Sequence, residues 1–211
     1  MNKVLPFEVH ASDYDQWFER YPNVFQAELR AINEHLAKLP ENIQGIEVGL
    51  GTGRFSAALG IKEGIEPAKE MAKIAAKRGI EIMIGTAENL PYRDFHYDFV
   101  LLVTICYLKN VPLAFREAYR VLKNGASIIV GVLDKNMPIV KSYEEKRKSS
   151  DFYRDATFYE MPTVNRYLKE AGFKHLEYAQ SLFGNLDDID ASEAPREGYG
   201  EGSFVVIRAV K

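Results

Sequence analysis

Hydrophobic residues recur along this chain in two patterns. Short continuous apolar runs, typical of strands buried on both faces of a sheet, cover residues 43–48, 62–66, 80–84, 99–103 and 127–133. Apolar residues at three- and four-residue spacing lie between or beside these runs and predict helices over residues 54–59, 68–78 and 111–122. Strands that alternate with helices favour a parallel sheet with helices on both faces, and therefore an α/β fold.

Two further helices are predicted before this core, over residues 12–39, with a break at Pro22. The first carries large aromatic side chains on one face, namely Tyr14, Trp17, Phe18 and Tyr21. A helix with such a face either packs on the body of the protein or covers a ligand cleft. The pattern alone leaves both interpretations open.

The chain beyond the core divides into three parts. Residues 134–162 leave the sheet with a charged helical run and an aromatic cluster, which predicts a cap beside a ligand site. A helix over 163–171 follows, and strands over 174–181 and 203–210 pair antiparallel at the end of the sheet. Residues 184–202 predict a long acidic, glycine-rich loop, which we interpret as a mobile gate for the substrate.

The connection after the first strand contains Gly49, Gly51 and Gly53 directly before a helix. Glycine permits positive φ values and close approach of a ligand, and a helix N-terminus offers free N–H groups. A dinucleotide site needs a third glycine where this chain has Arg54. Glu66 ends the second strand, and its carboxylate can accept hydrogen bonds from both ribose hydroxyls. These features favour a site for adenosine.

Four segments in this order resemble the motifs of class I S-adenosylmethionine-dependent methyltransferases. They are EVGLGTG at 47–53, GIEPAKEM at 64–71, GTAENLP at 85–91 and YDFV at 97–100. The resemblance covers about residues 14–132 and is nearest to the small-molecule branch that includes the ubiquinone and menaquinone C-methyltransferases. It implies a Rossmann-like, mostly parallel sheet of seven strands with an antiparallel last strand, and an N-terminal helical lid.

The resemblance also implies the activity. S-adenosylmethionine would be the cofactor, and its methyl group would pass to a small-molecule acceptor by in-line displacement. The 211 residues would form a single domain. Its parts would be a lid and packing helix at 1–40, a cofactor-binding core at 43–133, a cap at 134–162, and a C-terminal helix and hairpin at 163–211.

The expected cofactor-binding residues follow from the resemblance and from the carboxyl ends of the strands, where ligands bind in such sheets. They are Glu47, Gly49, Gly51, Gly53, Glu66, Thr86, Ala87, Glu88 and Thr104. In the family, an acid at Glu47 orients the loop or the amino group of methionine. Thr86 stands where the family usually has an aspartate that binds adenine, so adenine recognition is expected to depend on the Ala87 backbone and Glu88.

The acceptor is expected between the lid and the cofactor. The resemblance places Tyr14, Trp17, Cys106 and Tyr107 in this substrate pocket. No catalytic base is assigned, and the candidates are Tyr14, Tyr107 and His10. The aromatic cap suits a flat aromatic acceptor or an amine held by cation–π contact. Acidic residues in the C-terminal loop favour the amine, namely Asp187, Asp188, Asp190 and Glu193.

Composition narrows the function classes. A net charge of -3 gives no basic surface for a phosphate backbone, which argues against a nucleic-acid substrate. No apolar run reaches the roughly 18 residues of a membrane span, and the first residues lack the apolar core of a signal peptide. The single cysteine favours a reducing cytoplasm, and no residues have metal-ligand spacing.

Two alternatives to a methyltransferase stay open at this point. The first is a nicotinamide-dependent oxidoreductase, which Arg54 and the antiparallel C-terminal strands disfavour. The second is a catalytically silent, adenosine-binding regulatory domain, because a cofactor loop does not by itself establish turnover.

Overall fold

The computed structural model describes residues 3–190 and 192–211. Within them, one sheet has the strand order β3-β2-β1-β4-β5-β8-β6-β7. Strands β1 to β5 are mutually parallel, β8 is antiparallel to β5 and β6, and β7 is antiparallel to β6. The strands are β1 (Gly45–Val48), β2 (Glu63–Glu66), β3 (Glu81–Ile84), β4 (Tyr97–Val103), β5 (Leu122–Leu133), β6 (Lys174–Ser181), β7 (Arg196–Glu197) and β8 (Phe204–Val210).

Helices cover both faces of this sheet. They are α1 (Leu5–Val9), α2 (Ala11–Arg20), α3 (Pro22–Leu36), α4 (Arg54–Leu59), α5 (Lys69–Lys77), α6 (Val111–Val121), α7 (Pro138–Glu145) and α8 (Met161–Glu170). Alternate residues of β4 divide between two hydrophobic cores. Val100 and Leu102 pack in the core that contains α6 and α8, whereas Phe99 and Leu101 pack in the core that contains α3, α4 and α7. This period of two is expected for a strand covered on both sides.

The structure confirms the predicted α/β, Rossmann-like class with a mostly parallel sheet, but the predicted count of seven strands is wrong. The eighth strand, β7, has two exposed residues that pair with Ala179 and Gln180 at the edge of the sheet. It lies inside the predicted loop 184–202, where it is too short to produce a periodic signal. Helix α1 was also not predicted. The proposed division of the chain into lid, core, cap and C-terminal part stays a prediction.

The topology brings the carboxyl ends of β1, β2 and β4 to one edge of the sheet. The chain leaves these strands at Gly49, Pro67 and Thr104, so the loops that follow them lie side by side. Helices α1 and α2 lie over this edge, and α1 contacts α5. A ligand at the edge is therefore covered by the N-terminal segment of the same chain.

Candidate active site

A cavity of about 100 Å³ lies at this edge, beneath α1 and α2. Its walls come from the loops after the parallel strands and from the first two helices. Of the residues predicted from the sequence, it is lined by Gly49, Gly51, Glu66, Thr86, Ala87, Glu88 and Thr104, together with Tyr14 and Tyr107. The motif segments, which are distant in sequence, thus contribute to one site, which we call the cofactor cavity.

Glu66 ends β2 in the wall of the cofactor cavity and is 6% exposed. Its two oxygens accept one backbone hydrogen bond each, from Gly51 N at 2.9 Å and from Ala68 N at 2.9 Å. Burial raises the pKa of Glu66 to about 7 in spite of these bonds, which act in the opposite direction. Each carboxylate oxygen still has acceptor capacity, so the group fits a ribose with two adjacent hydroxyls.

The glycine loop has two different functions. Gly49 has φ 74°, lines the cofactor cavity, and a Cβ built on it would meet no atom within 4 Å. A side chain there would occupy the space that a ligand needs. At Gly53, with φ 76°, a Cβ would lie 2.5 Å from Ile80 Cδ1. Gly53 does not line the cavity, and its missing side chain instead allows close packing against α5 and β3.

Glu47 is buried just before this loop and does not line the cofactor cavity. Its carboxylate accepts a hydrogen bond from Ser56 Oγ in α4. Burial raises the pKa of Glu47 to about 8, although the bonds from Ser56 lower it. The side chain therefore fixes the start of α4 relative to β1, which agrees with the loop-orienting role expected from the resemblance.

The adenine end of the predicted site is formed by Thr86, Ala87 and Glu88, which all line the cofactor cavity. The Thr86 carbonyl accepts a hydrogen bond from Asn89 N at 3.2 Å, which closes a tight turn. Glu88 Oε1 accepts hydrogen bonds from the backbone N–H groups of Lys109 and Asn110, at 2.8 and 3.0 Å. One Glu88 oxygen thus anchors the start of α6, and the other is available at the cavity.

A second cavity, of about 500 Å³, adjoins the first. Tyr14, Thr104 and Tyr107 line both cavities and form the wall between them. The remaining lining includes many aromatic side chains, from α2 and its C-terminal cap, from α4, from α7 and from the segment that follows α7, namely Trp17, Phe18, Tyr21, Phe55, Tyr143, Phe152 and Tyr153. We call this the acceptor cavity.

Thr104 occupies a strained position in the shared wall. Its φ of 58° and ψ of 68° place it in the left-handed region, which is unfavourable for a β-branched residue. The Thr104 N–H donates to the Gly131 carbonyl at 3.0 Å, and its hydroxyl donates to the Val103 carbonyl at 2.8 Å. Such strain is concentrated at functional sites in proteins, because the surrounding structure must maintain it.

Besides Glu47 and Gly53, two more residues predicted for the site, Cys106 and His10, line neither cavity. Cys106 is 4% exposed, packs in the hydrophobic core, and lines neither of the two cavities described here. Burial raises the pKa of its thiol to about 12, so it is not a nucleophile. His10 lies at the junction of α1 and α2, where its Nδ1 is 3.3 Å from an oxygen of Asp13, and it also lines neither cavity.

The remaining candidate bases are the two tyrosines of the shared wall. Burial raises the pKa of Tyr14 and of Tyr107 well above the ordinary value of 10. Both hydroxyls therefore stay protonated at neutral pH. They can donate hydrogen bonds to a bound molecule, but they are poor proton acceptors.

The structure adds one residue that the sequence analysis missed. Glu28, on α3, is 6% exposed and lines the acceptor cavity. Burial raises its pKa to about 8. A signal was present in the sequence, because Glu28 stands on the apolar face of its helix between Val24 and Ile32. A carboxylate at a core position is unusual enough to indicate a function.

Residues 3–190 and 192–211 contain neither a candidate membrane span nor a candidate metal site. None of the helices there combines the length and the apolar character that crossing a membrane requires. No set of three or more His, Cys, Asp and Glu side chains in these ranges is arranged to hold a metal ion.

Comparison with known proteins supplies the class. Residues 46–130 match the family described as Methyltransferase domain. An uncharacterized protein of Methanocaldococcus jannaschii is 42% identical over 206 residues, which cover 97% of this chain and 98% of that protein. The demethylmenaquinone methyltransferase of Lactococcus lactis is 26% identical over 151 residues, which cover 70% of this chain and 54% of that enzyme.

A crystal structure from Thermotoga maritima gives the same result. Its protein is described as an S-adenosylmethionine-dependent methyltransferase and possible histamine N-methyltransferase. It is 40% identical, both chains are covered completely, and the TM-score is 0.92. The present chain therefore belongs to the S-adenosylmethionine-dependent methyltransferases. It is an enzyme of that class with S-adenosylmethionine as its cofactor, which confirms the identification from the four motifs and replaces the nicotinamide-dependent alternative.

Proposed function

We propose that this enzyme transfers the methyl group of S-adenosylmethionine to a small-molecule acceptor by in-line displacement. The observation that carries the proposal is the pair of adjoining cavities, which share a wall formed by Tyr14, Thr104 and Tyr107. A volume of about 500 Å³ lies within the range of about 300–1,000 Å³ that is usual for small-molecule sites. A net charge of -3 is unfavourable for a nucleic-acid acceptor.

The residues of the cofactor cavity fit the bound cofactor in the following way. Glu66 would accept hydrogen bonds from the ribose hydroxyls, and the glycine loop at Gly49 and Gly51 would let the cofactor approach the backbone. Thr86, Ala87 and Glu88, which line the same cavity, would hold the adenine. When bound, S-adenosylmethionine supplies an electrophilic methyl group on a sulfonium sulfur, with a thioether as the leaving group.

The protein's contribution is to align the acceptor and to exclude water. Aromatic side chains of α2 and α7 line the acceptor cavity, and the wall of Tyr14, Thr104 and Tyr107 lies between the two cavities. Holding two reactants in a near-attack geometry accounts for about 7–11 kcal/mol of barrier reduction in favourable cases. The raised pKa values of Tyr14 and Tyr107 make their hydroxyls hydrogen-bond donors that orient the acceptor.

The cavity suits two classes of methyl acceptor, flat aromatic compounds and amines. Aromatic walls suit flat aromatic acceptors such as phenols and quinol precursors, and the likeness to demethylmenaquinone methyltransferase supports this class. They also suit amines through cation–π contact, and the description of the Thermotoga maritima protein as a possible histamine N-methyltransferase supports that class.

The test begins with cofactor binding and ends with product. S-adenosylhomocysteine at about 100 times its Kd should stabilise the protein by about 2.7 kcal/mol, a rise in Tm of roughly 5–10 °C, whereas NAD should give none. Glu66→Ala should remove the shift. Phenols, quinol precursors and amines are then incubated with S-adenosylmethionine, and methylated products are detected by mass spectrometry. A cofactor-dependent shift without any methylated product from this panel would contradict a small-molecule acceptor.

A further inference from the structure

The acceptor cavity contains a carboxylate without a partner. Glu28 is more than nine-tenths buried and lines the cavity. Across residues 3–190 and 192–211, no hydrogen bond or ion pair reaches its side chain. The buried Glu47 and Glu66 differ from it, because both accept hydrogen bonds from the protein. Glu28 is thus a buried acid of this site whose full acceptor capacity remains for a ligand.

Packing does not explain a carboxylate at this position. Its neighbours on the buried face of α3 include Val24, Ala27, Ala31 and Ile32, and an apolar residue would complete that face without loss of hydration. Burial raises the pKa of Glu28 to about 8, which is the signature of an acid held away from water without compensation. A cationic ligand would supply the missing charge, and its binding would restore the ionised form of the group.

The surroundings of Glu28 suit one kind of cation. Trp17, Tyr21, Tyr143 and Tyr153 line the same cavity, and Tyr143 and Tyr153 stack with their ring centroids 4.1 Å apart. Aromatic faces attract ammonium groups, and a carboxylate accepts their N–H donors. The basic residues that line this cavity, Arg20 and Lys146, are both exposed to solvent at its mouth. The buried end of the cavity is therefore aromatic and contains the acid Glu28.

We propose that Glu28 binds the protonated nitrogen of an amine acceptor inside the aromatic cavity and takes one ammonium proton, which frees the nitrogen lone pair for methylation. This inference rests on the proposed function and narrows its acceptor class to amines. It also replaces the acidic loop as the source of cation recognition. In that loop Asp190 accepts a hydrogen bond from Ser192 N at 2.7 Å, and Glu193 pairs with Arg196 at 2.6 Å. Leu186 is the residue that brings this loop to the cavity wall.

The test compares matched probes on the enzyme saturated with S-adenosylhomocysteine. Each primary or secondary amine, such as 2-phenylethylamine, is paired with the neutral alcohol of the same skeleton, here 2-phenylethanol, and Kd is measured by calorimetry. We expect the tightest amine to bind at least about tenfold more tightly than its alcohol. Glu28→Gln should remove this preference and leave the alcohol's Kd unchanged, whereas Glu28→Asp should retain part of it.

The control is Glu34→Gln, which removes an exposed acid from the same helix and should leave both probes unaffected. Unchanged affinity for S-adenosylhomocysteine demonstrates that each variant is folded. The proposal is overturned if no amine is preferred over its alcohol, or if Glu28→Gln retains the preference. Methylation of phenols or quinol precursors without methylation of amines would overturn it while upholding a small-molecule methyltransferase. Absence of any product would contradict both.

Discussion

Two glycines four positions apart in the cofactor loop have similar backbone angles and different consequences. Gly49 and Gly53 have φ values of 74° and 76°. An alanine at either position is strained by about 1–2 kcal/mol, because its Cβ is unfavourable in the left-handed region. The space around the two Cβ positions separates their effects, since one faces the cofactor cavity and the other faces Ile80 and Ala75.

We therefore expect Gly53→Ala to reduce the free energy of unfolding by about 2–5 kcal/mol, since overpacking adds about 1–3 kcal/mol to the strain. Gly49→Ala should cost only the strain but weaken S-adenosylhomocysteine binding at least about tenfold, because its methyl group enters the cavity. Urea unfolding and calorimetry measure the two quantities. Equal stability of the two variants would show that the contact with Ile80 is relieved without cost.

Residues that belong to local motifs could be predicted from the sequence, whereas residues placed by the tertiary structure could not. Gly49, Gly51 and Glu66 belong to motifs whose chemistry depends on local spacing, and the structure places all three at one cavity. Cys106 was misplaced because the single 3-10 turn after β4 directs its side chain into the core, which no local pattern encodes. Glu28 was missed although it stands on the apolar face of α3, because the cavity beside it is completed by Tyr143 and Tyr153, more than a hundred residues away.

At the scale of elements, two acids tie α2 to the sheet layer, since Asp15 and Glu19 both pair with Arg54 of α4. The Asp15 carboxylate accepts hydrogen bonds from Arg54 Nε and Nη2, both at 2.9 Å, and from Arg78 Nη2 at 2.9 and 3.0 Å. Burial alone would raise its pKa, but the two guanidinium groups outweigh burial and lower the pKa of Asp15 to about 2. Helix α2, which carries Tyr14 and Trp17, is thereby tied to α4 and to the end of α5.

The ionised Asp15 carboxylate makes the stability of the protein depend on pH. Because the folded pKa of about 2 lies below the ordinary 3.8, the stabilisation is present above pH 3.8 and is lost as the pH falls through 2. Asp15→Asn should thus reduce the free energy of unfolding by about 2 kcal/mol at pH 6, and the difference from wild type should shrink towards pH 2. Urea unfolding between pH 2.5 and 6 measures it.

Asp13, another acid of α2, provides the control for Asp15→Asn. Asp13→Asn removes an exposed acid that pairs with His10 at 3.3 Å, and it should change stability by less than about 1 kcal/mol. A pH-independent loss in Asp15→Asn would contradict the ionic origin of the stabilisation.

The elements themselves were predictable to the extent that they repeat a pattern. Strands of the core, with their continuous apolar runs, were located within a few residues, and β6 was located at residues 174–181 as observed. Strand β5 begins earlier than predicted because Leu122 pairs with Tyr97 across an irregularity in the ladder. Helix α1 and strand β7 were not predicted because they are short and depend on tertiary contacts.

At the scale of the whole molecule, the segment from Lys3 to Val9, which contains α1, crosses the cofactor cavity and is anchored on both sides of it. We call this segment the strap. Lys3 Nζ donates to the Leu108 carbonyl at 2.9 Å on one side of the cavity, and Glu8 accepts hydrogen bonds from Lys69 N and Glu70 N at 2.8 and 3.0 Å on the other. Phe7, between them, packs edge-on against Tyr107. The cavity beneath has about 100 Å³, whereas sites for ligands of this size have about 300–1,000 Å³. The cavity must therefore enlarge to hold the cofactor, and we expect α1 to move.

Releasing one end of the strap should accelerate that entry. Glu8→Ala removes the acid that caps α5, and losing a cap of this kind costs about 1 kcal/mol, or about fivefold in an opening equilibrium. We expect the association and dissociation rates of S-adenosylhomocysteine both to rise about fivefold. The single tryptophan, Trp17, lies on α2 beside the shared wall and provides a stopped-flow fluorescence signal.

The changes in the association and dissociation rates show whether Glu8 limits cofactor entry or only stabilises α5. If Glu8 only stabilised α5, Glu8→Ala would lower the Tm and leave the association rate unchanged, because α1 would not limit entry. Glu70→Gln, which alters the acid that pairs with Lys73 on the same helix, controls for changes in local charge. A faster association with a proportionally faster dissociation means that α1 opens for free and bound enzyme alike, so that its contacts set the rate of cofactor exchange without determining affinity.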